Sequence, residues 1–180
     1  MDIYKEKFTS LQREIFRFLS IKAGRSFNQR QLAKYLKVSP TAIAKSLVEL
    51  GKQELININK EEESNRIIIE LNLKNPKTIY LKKIENLYLL SESGVLDHLS
   101  EQFPLSTIIL FGSYSKGEDI ERSDIDIAIL DTKERKLKLE QFENKLEKKI
   151  NIEFINLKSI KKELRNSVLS GVTLKGYIEL

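Results

Sequence analysis

Hydrophobic and polar residues follow one another along this chain with two different periods. Near the start, Leu11, Ile15, Phe18 and Leu19 recur every three or four positions, which is the spacing of one face of an amphipathic helix. The later run 150–155 alternates residue by residue, as is typical of a strand with one buried face. Because both periods occur, the pattern predicts a mixed α+β fold in which helices pack on small sheets.

Residues 1–75 predict helices followed by strands. The first helix covers 8–21, Asn28 is a suitable N-cap for a second helix, and Ser39 followed by Pro40 begins a third. The turn between the second and third helices has the length that a helix-turn-helix needs. The whole segment resembles a winged helix-turn-helix. The strand-like runs of the predicted wing are 55–59 and 67–73.

Charge distinguishes this segment from the rest of the chain. Residues 1–75 contain 14 Lys and Arg against 9 Asp and Glu, whereas 76–180 contain 17 of each, so the net charge of +5 belongs to the first segment. Such an asymmetry favours nucleic acid or another acidic partner. The candidates for contacts with DNA on the predicted recognition helix are Thr41, Lys45 and Lys52.

The predicted wing tip does not suit DNA. It carries Glu61, Glu62 and Glu63, and consecutive acids would repel a phosphate backbone. A winged helix that serves dimerisation or binds a protein partner is therefore the alternative to a DNA-binding domain. Winged-helix DNA-binding proteins are often dimers, so a homodimer is one candidate assembly.

A domain boundary is predicted at Pro76, since proline cannot continue a helix or a strand ladder through its own nitrogen. We expect a winged-helix domain at 1–75 and a second domain at 76–180. Within the second domain, 77–103 predicts linker helices and 104–180 predicts the core that carries the chemistry.

Further helices are predicted from apolar spacing in the second domain. The first linker helix is predicted at 77–90, with Ile79, Ile84, Leu87 and Tyr88 among its apolar positions. Amphipathic helices are expected at 136–149 and at 159–169. The strand 150–155 falls between them.

The stretch that follows residue 105 is the most informative part of the chain. An apolar, β-rich run at 106–111 stops at Gly112 and Ser113, where turn chemistry takes over. A glycine lets the backbone approach a ligand closely, and a short helix opening at Ser113 would direct free N–H groups at an anion such as a triphosphate. Lys116 lies one turn further along and can add positive charge.

An acidic pair follows in the next apolar run. At a period of two, Asp124 and Asp126 share one face of a predicted strand while Ile125 and Ile127 pack on the other. Neighbouring carboxylates repel each other unless a cation lies between them. Oxygen ligands of this kind suit Mg²⁺, which also coordinates water and substrate phosphates.

This arrangement resembles the signature of the polymerase β-like nucleotidyltransferase superfamily, and within it the minimal nucleotidyltransferases. Their motif is close to Phe-Gly-Ser-x-x-x-Gly-Glu-x-x-x-x-Ser-Asp-Ile-Asp, and Gly117, Glu118 and Ser123 match its longer form. The resemblance covers roughly 76–180. Together with the N-terminal segment, the chain is similar to archaeal proteins in which a winged helix precedes the transferase.

The resemblance implies a fold, a metal and a nucleotide site. It implies a small mixed sheet flanked by helices, and two Mg²⁺ ions held by Asp124, Asp126 and a third carboxylate on a later strand. Glu153 is the acid of the run 150–155 and is the candidate third ligand, although many members carry Asp there. A solvated surface role is the alternative for Glu153 and for Lys116. The residues implied to hold the triphosphate of ATP or another nucleotide are Gly112, Ser113, Lys116 and Ser123.

The implied reaction is transfer of a nucleoside monophosphate, with AMP from ATP favoured, to a hydroxyl group. About 105 residues leave no separate domain for a polynucleotide or a small acceptor, so we expect a partner macromolecule to supply the hydroxyl. One arrangement in the family is an antitoxin that modifies a tyrosine of a helical HEPN ribonuclease toxin. The alternative is a DNA-binding transcriptional regulator whose nucleotidyltransferase-like domain senses nucleotide or acts as a scaffold.

Composition excludes several other classes. The chain contains no Cys, which excludes disulfides, thiolate zinc sites and thiol catalysis. It shows no signal peptide and no apolar run long enough to cross a bilayer. We therefore expect a cytoplasmic protein with no membrane partner.

Overall fold

A computed structural model describes residues 8–60, 66–157 and 159–178. The chain divides into two compact units, one of which ends at Ile79 while the other begins at Tyr80. The division lies within a helix that starts at Pro76, the position of the predicted boundary. The wing-tip glutamates Glu61, Glu62 and Glu63 lie outside the described residues.

The N-terminal unit is a winged helix-turn-helix, as predicted. Asn28 caps the second helix by accepting a hydrogen bond from the Gln31 N–H at 2.9 Å, and Ser39 caps the third by accepting from the Ala42 N–H at 3.2 Å. Lys37 takes a left-handed conformation, with φ of 54°, and so ends the second helix within the turn. The elements are α1 (Ser10–Ile21), α2 (Gln29–Leu36), α3 (Pro40–Lys52), β1 (Ile56–Lys60) and β2 (Ile67–Leu71).

Buried residues of the helices and the wing form the core of this unit. Strands β1 and β2 pair antiparallel, from Ile56 opposite Leu71 to Lys60 opposite Ile67. Phe27, just before α2, forms an isolated bridge with Ile69 that the sequence pattern does not predict. Completely or almost completely buried side chains include Ile15, Leu19, Leu32, Ile43, Leu50, Leu55 and Ile69.

The C-terminal unit contains a mixed sheet covered by helices on both faces. Its strands lie in the order β5-β4-β3-β6, with β4 parallel to β5 and β3 antiparallel to both β4 and β6. The elements are α4 (Pro76–Ser93), which crosses the division, α5 (Val95–Gln102), β3 (Ile108–Phe111), α6 (Gly112–Lys116), β4 (Ile125–Leu130), α7 (Glu140–Leu146), β5 (Ile150–Ile155), α8 (Lys162–Leu169) and β6 (Val172–Lys175).

The central strands β3 and β4 are apolar on both faces because both faces are covered. Leu110 and Ile127 pack with the helices α4, α5 and α7 on one face, whereas Ala128 packs with Val168 of α8 on the other. This is why these strands read as nearly continuous hydrophobic runs rather than as alternating ones. Together the observations confirm the predicted α+β class.

Some predicted details are wrong. Helix α7 is shorter than 136–149, because Glu147 adopts a left-handed conformation, with φ of 53°, and ends it. The sequence made no prediction of which α4 side chains are buried: Ile84 and Tyr88 are exposed, while Lys82 and Asn86 are buried. The helix therefore directs polar side chains inward, and hydrogen bonds to buried acceptors offset the cost of burying them. Strand β6 at the sheet edge was not predicted from the sequence.

Candidate active site

The acidic pair lies at the start of β4. Asp124 directly precedes the strand and is exposed, and Asp126 is its second residue and is half-buried. Ile125 and Ile127 are completely buried. The alternation expected from the sequence is therefore present, and it directs the carboxylates away from the core that holds the isoleucines.

The side-chain amide of Asn151 bridges these carboxylates. Its Nδ2 lies 3.2 Å from Asp124 Oδ2 and 3.1 Å from Asp126 Oδ1. Since both neighbours are acceptors, the amide must present its NH₂ group to them, one hydrogen to each. The register causes this contact, because Asn151 lies directly opposite Asp126 in the parallel ladder of β4 and β5. The amide offsets part of the repulsion between the carboxylates.

Gly112 lies against the carboxylate of Asp126. It follows Phe111, which pairs with Asp126 between β3 and β4, and it has a positive φ of 72°. A Cβ atom at this position would lie 2.5 Å from Asp126 Oδ2. The glycine therefore serves both the turn conformation and the close approach of the backbone to Asp126.

Helix α6 carries the other residues of the predicted phosphate turn. Tyr114 and Ser115 are buried and anchor the helix, the latter by donating to the Gly112 carbonyl at 2.8 Å. Ser113 is half-buried and Lys116 is exposed. Among the residues that the structure describes, no side chain caps the first turn of α6, so none of them takes up its N–H groups as a cap.

Ser123 belongs to the loop that leads into Asp124. Its hydroxyl accepts a hydrogen bond from the Ile120 N–H at 3.0 Å, and its own N–H donates to the Ile120 carbonyl at the same distance. The hydroxyl therefore stabilises the turn before the acidic pair. Its hydrogen is still available to an acceptor, so nucleotide binding by Ser123 stays a prediction.

Glu153 lies further along β5, on the face that Asn151 shares. It pairs with Ala128 rather than with Asp126, and it is exposed. In residues 8–60, 66–157 and 159–178, no three His, Cys, Asp or Glu side chains are gathered as a metal-binding group. A third carboxylate ligand is thus not assembled, and the role of Glu153 stays a prediction.

The donor set still fits a hard cation. Asp124 and Asp126 offer carboxylate oxygens, and Mg²⁺ is commonly bound by one or two carboxylates while water and phosphate oxygens complete its shell. The amide of Asn151 occupies the position between them and would have to turn or move aside. Asn151 was not anticipated, although the alternation of the run 150–155 puts it on the same face as Glu153.

The predicted DNA-contacting residues lie on the outer side of α3. Thr41, Lys45 and Lys52 are exposed, whereas Ile43 and Leu50 of the same helix are completely buried. Lys52 also lies 3.8 Å from the carboxylate of Glu49, in a surface ion pair of little energetic weight. The three residues are accessible to a partner.

Comparison with known families agrees with this geometry. Residues 95–176 match the family model described as polymerase beta, nucleotidyltransferase. These residues are similar to a polymerase β-type nucleotidyltransferase domain. The match includes the turn at Gly112, the acidic pair and Asn151, so the nucleotidyltransferase domain contains the complete candidate site. No curated protein is significantly similar to the chain.

Several solved structures are also similar to parts of the chain. The adhesin competence repressor AdcR from Streptococcus pyogenes has 22% identity and a TM-score of 0.43, over 54% of this chain and 69% of that one. Lactococcus lactis ZitR in complex with DNA has 23% identity and a TM-score of 0.41, over 57% and 67%. The S. aureus MepR–DNA complex has 16% identity and a TM-score of 0.39, over 54% and 79%.

None of the helices within residues 8–60, 66–157 and 159–178 is both long enough and apolar enough to cross a bilayer.

Proposed function

We propose that the nucleotidyltransferase domain transfers a nucleoside monophosphate, with AMP from ATP as the favoured case, to a hydroxyl group of a partner macromolecule. The observation that carries this proposal is the convergence on Asp126. Gly112 lies close to Oδ2 of the Asp126 carboxylate. The side-chain amide of Asn151, which also contacts Asp124, donates to Oδ1 of Asp126. The predicted phosphate-binding turn and the predicted pair of oxygen ligands thus lie together, which supports the proposal.

Different residues are proposed to bind the phosphates and the metal. Gly112 and Ser113 present backbone N–H groups to the β- and γ-phosphates, with Lys116 and Ser123 as further contacts. Asp124 and Asp126, with Glu153 as the candidate third carboxylate, would hold Mg²⁺, for which the family suggests two ions. The bound metal would neutralise phosphate charge and polarise the α-phosphate.

The reaction is an in-line substitution at phosphorus. The acceptor oxygen forms a bond to the α-phosphorus, the bond from that phosphorus to the bridging oxygen of the β-phosphate breaks, and pyrophosphate leaves. The proton of the acceptor hydroxyl passes to solvent. The contribution of this chain is to orient the triphosphate and to concentrate compensating charge around it.

Labelled nucleotides test the proposal directly. The pure protein is incubated with Mg²⁺, host lysate and each α-³²P-labelled nucleoside triphosphate, and the labelled product is located. Asp126→Asn, which has nearly the same shape, should abolish labelling without changing the circular dichroism spectrum. Retained labelling in Asp126→Asn would exclude the carboxylate pair as the metal site.

A HEPN-type toxin is the acceptor that we propose, with this protein as its antitoxin. A small helical protein with an Arg-x-x-x-x-His motif, encoded next to this gene, would be the first acceptor to test. Labelling of its tyrosine supports the pairing. Labelling of an unrelated protein in the lysate instead would leave the transferase proposal intact and reject the toxin partner.

The winged helix is proposed to bind DNA. The positive charge of the N-terminal segment and the exposure of Thr41, Lys45 and Lys52 support this role. A footprint on its own promoter that weakens steeply with salt would establish it. Failure to bind any DNA at low salt would favour a winged helix used for dimerisation or for a protein partner.

The second candidate function is a DNA-binding regulator whose nucleotidyltransferase domain senses nucleotide or acts as a scaffold. The bridge from Asn151 to both aspartates favours it, since an amide in that position satisfies the carboxylates without any metal. The labelling experiment separates the candidates. Nucleotide binding without transfer to any component of the lysate would support the regulator.

A further inference from the structure

A cluster of buried charged residues lies beside the loop that joins α6 to β4. The side chains of Lys82, Asp119 and Lys148 are 0%, 1% and 3% exposed. Such ions are costly to remove from water, and a buried ion pair is often no more stabilising than apolar residues of similar volume. Stability alone is thus a weak explanation for this cluster.

Asp119 is the centre of the cluster. Its Oδ1 accepts from the ammonium of Lys82 and from the amide of Asn86, the latter at 2.7 Å, and its Oδ2 lies 3.4 Å from Lys148 Nζ. Asn86 also donates to the Tyr114 carbonyl at 2.9 Å and so ties the cluster to α6. A single carboxylate therefore serves two lysines.

The members of the cluster are buried, and burial changes their pKa values. Burial lowers the pKa of Lys82, against the opposing attraction of Asp119, and the nearby Lys148 lowers it further. Burial also raises the pKa of the Tyr114 phenol, with the charge of Asp119 acting in the same direction. Ions in such surroundings interact strongly with neighbouring dipoles.

Lys148 uses its ammonium group on the loop backbone. Its Nζ donates to the carbonyls of Ile120 at 2.7 Å, Glu121 at 3.3 Å and Ser123 at 3.3 Å. These carbonyls belong to the turn that directly precedes Asp124, and the last one is part of the peptide bond to Asp124. The ammonium thus donates to three backbone carbonyls of a single turn.

We propose that Lys148, oriented by Asp119, is a positioning residue that holds the turn 120–123 and thereby keeps the Asp124 carboxylate beside Asp126. This inference deepens the proposed function and rests on it for its catalytic consequence. The holding of the turn does not depend on catalysis, so it can be tested even if no transfer occurs.

The test compares Lys148→Met with two lysine controls. Lys149→Met changes the neighbouring lysine, which is 74% exposed and paired with Glu143. Lys82→Met removes the other buried lysine and leaves Asp119 free to pair with Lys148. A merely structural role of the charged cluster would make the two buried variants equally disruptive, whereas a positioning role makes them differ.

Amide hydrogen exchange and Mn²⁺ affinity are measured on each pure variant without nucleotide, and labelled transfer is measured separately. In Lys148→Met, the Ser123 amide should exchange about tenfold faster or more, which is the factor for losing a charged hydrogen bond. Mn²⁺ affinity and kcat should fall with it, while KM for ATP changes less. Both control variants should resemble the wild type in the exchange of the Ser123 amide, in Mn²⁺ affinity and in kcat.

Particular outcomes decide the proposal. If the amides of the turn 120–123 exchange no faster in Lys148→Met than in Lys82→Met, the positioning role is overturned. If Lys148→Met does not fold, Lys148→Gln replaces it, because its amide keeps one donor in the cavity without the charge, and the same comparison with Lys82→Met applies. Faster exchange in Lys148→Met, together with no transfer of nucleotide by the wild-type protein, would support the positioning role and reject the proposed function.

Discussion

Replacing Gly112 by alanine should damage the candidate site more than it damages the fold. The residue has a φ of 72°, and the new Cβ would lie 2.5 Å from Asp126 Oδ2, where 3.4 Å or more is ordinary contact. The carboxylate must therefore rotate away, or the start of α6 must shift. Either movement separates the turn from the acidic pair.

Gly94 provides a matched control for the backbone. It also has a positive φ, of 82°, but an added Cβ would only reach normal contact with Phe142, at 3.9 Å. Forcing alanine into this conformation costs about 1–2 kcal/mol at either position. Crowding of Asp126 adds about 1–3 kcal/mol for Gly112→Ala alone. The expected loss of unfolding free energy is thus about 2–5 kcal/mol against about 1–2 kcal/mol.

Urea denaturation followed by circular dichroism measures these losses, and labelled transfer measures the site. A displacement of the carboxylate by about 1 Å should lower the transfer rate about 100-fold in Gly112→Ala, while Gly94→Ala stays close to wild type. Equal stability of the two variants together with full transfer by Gly112→Ala would refute the argument that this glycine is required by Asp126.

Other predictions concern the charges. Asp119→Asn should lower the unfolding free energy by about 3–5 kcal/mol, because two buried lysines lose their counter-charge, and Lys82→Met should cost less in the same urea titration. Hydrogen bonds from the Ile150 N–H and then from Lys149 lower the pKa of Glu143. The ionised Glu143 therefore stabilises the folded protein above the ordinary pKa of about 4.3, and this contribution disappears as pH falls through the lowered pKa. Glu143→Gln should therefore lose about 1 kcal/mol at neutral pH and converge with wild type in acid; a constant difference would contradict this. Lys45→Ala should weaken DNA binding by fluorescence anisotropy and reduce the salt slope by about 1, and an unchanged slope would count against a phosphate contact.

Local physical chemistry made much of this protein predictable from its sequence. Helix caps depend on residues three apart, which is why Asn28 and Ser39 were assigned correctly. The alternation around Asp124 and Asp126 depends only on the pleat of a strand. The turn at Gly112 could be predicted because a glycine after an apolar run is a local signal as well.

Tertiary structure alone decided which distant residues complete the site. The parallel register of β4 and β5 sets Asn151 rather than Glu153 opposite Asp126, and a shift by two residues would reverse this without changing either strand's pattern. Lys82 and Lys148 form ion pairs with Asp119, from which they are 37 and 29 residues apart in the sequence. The local pattern around each of them predicts an exposed lysine. Short-range patterns fix which side chains share a face, but the pairing of buried charges depends on how the whole chain closes around them.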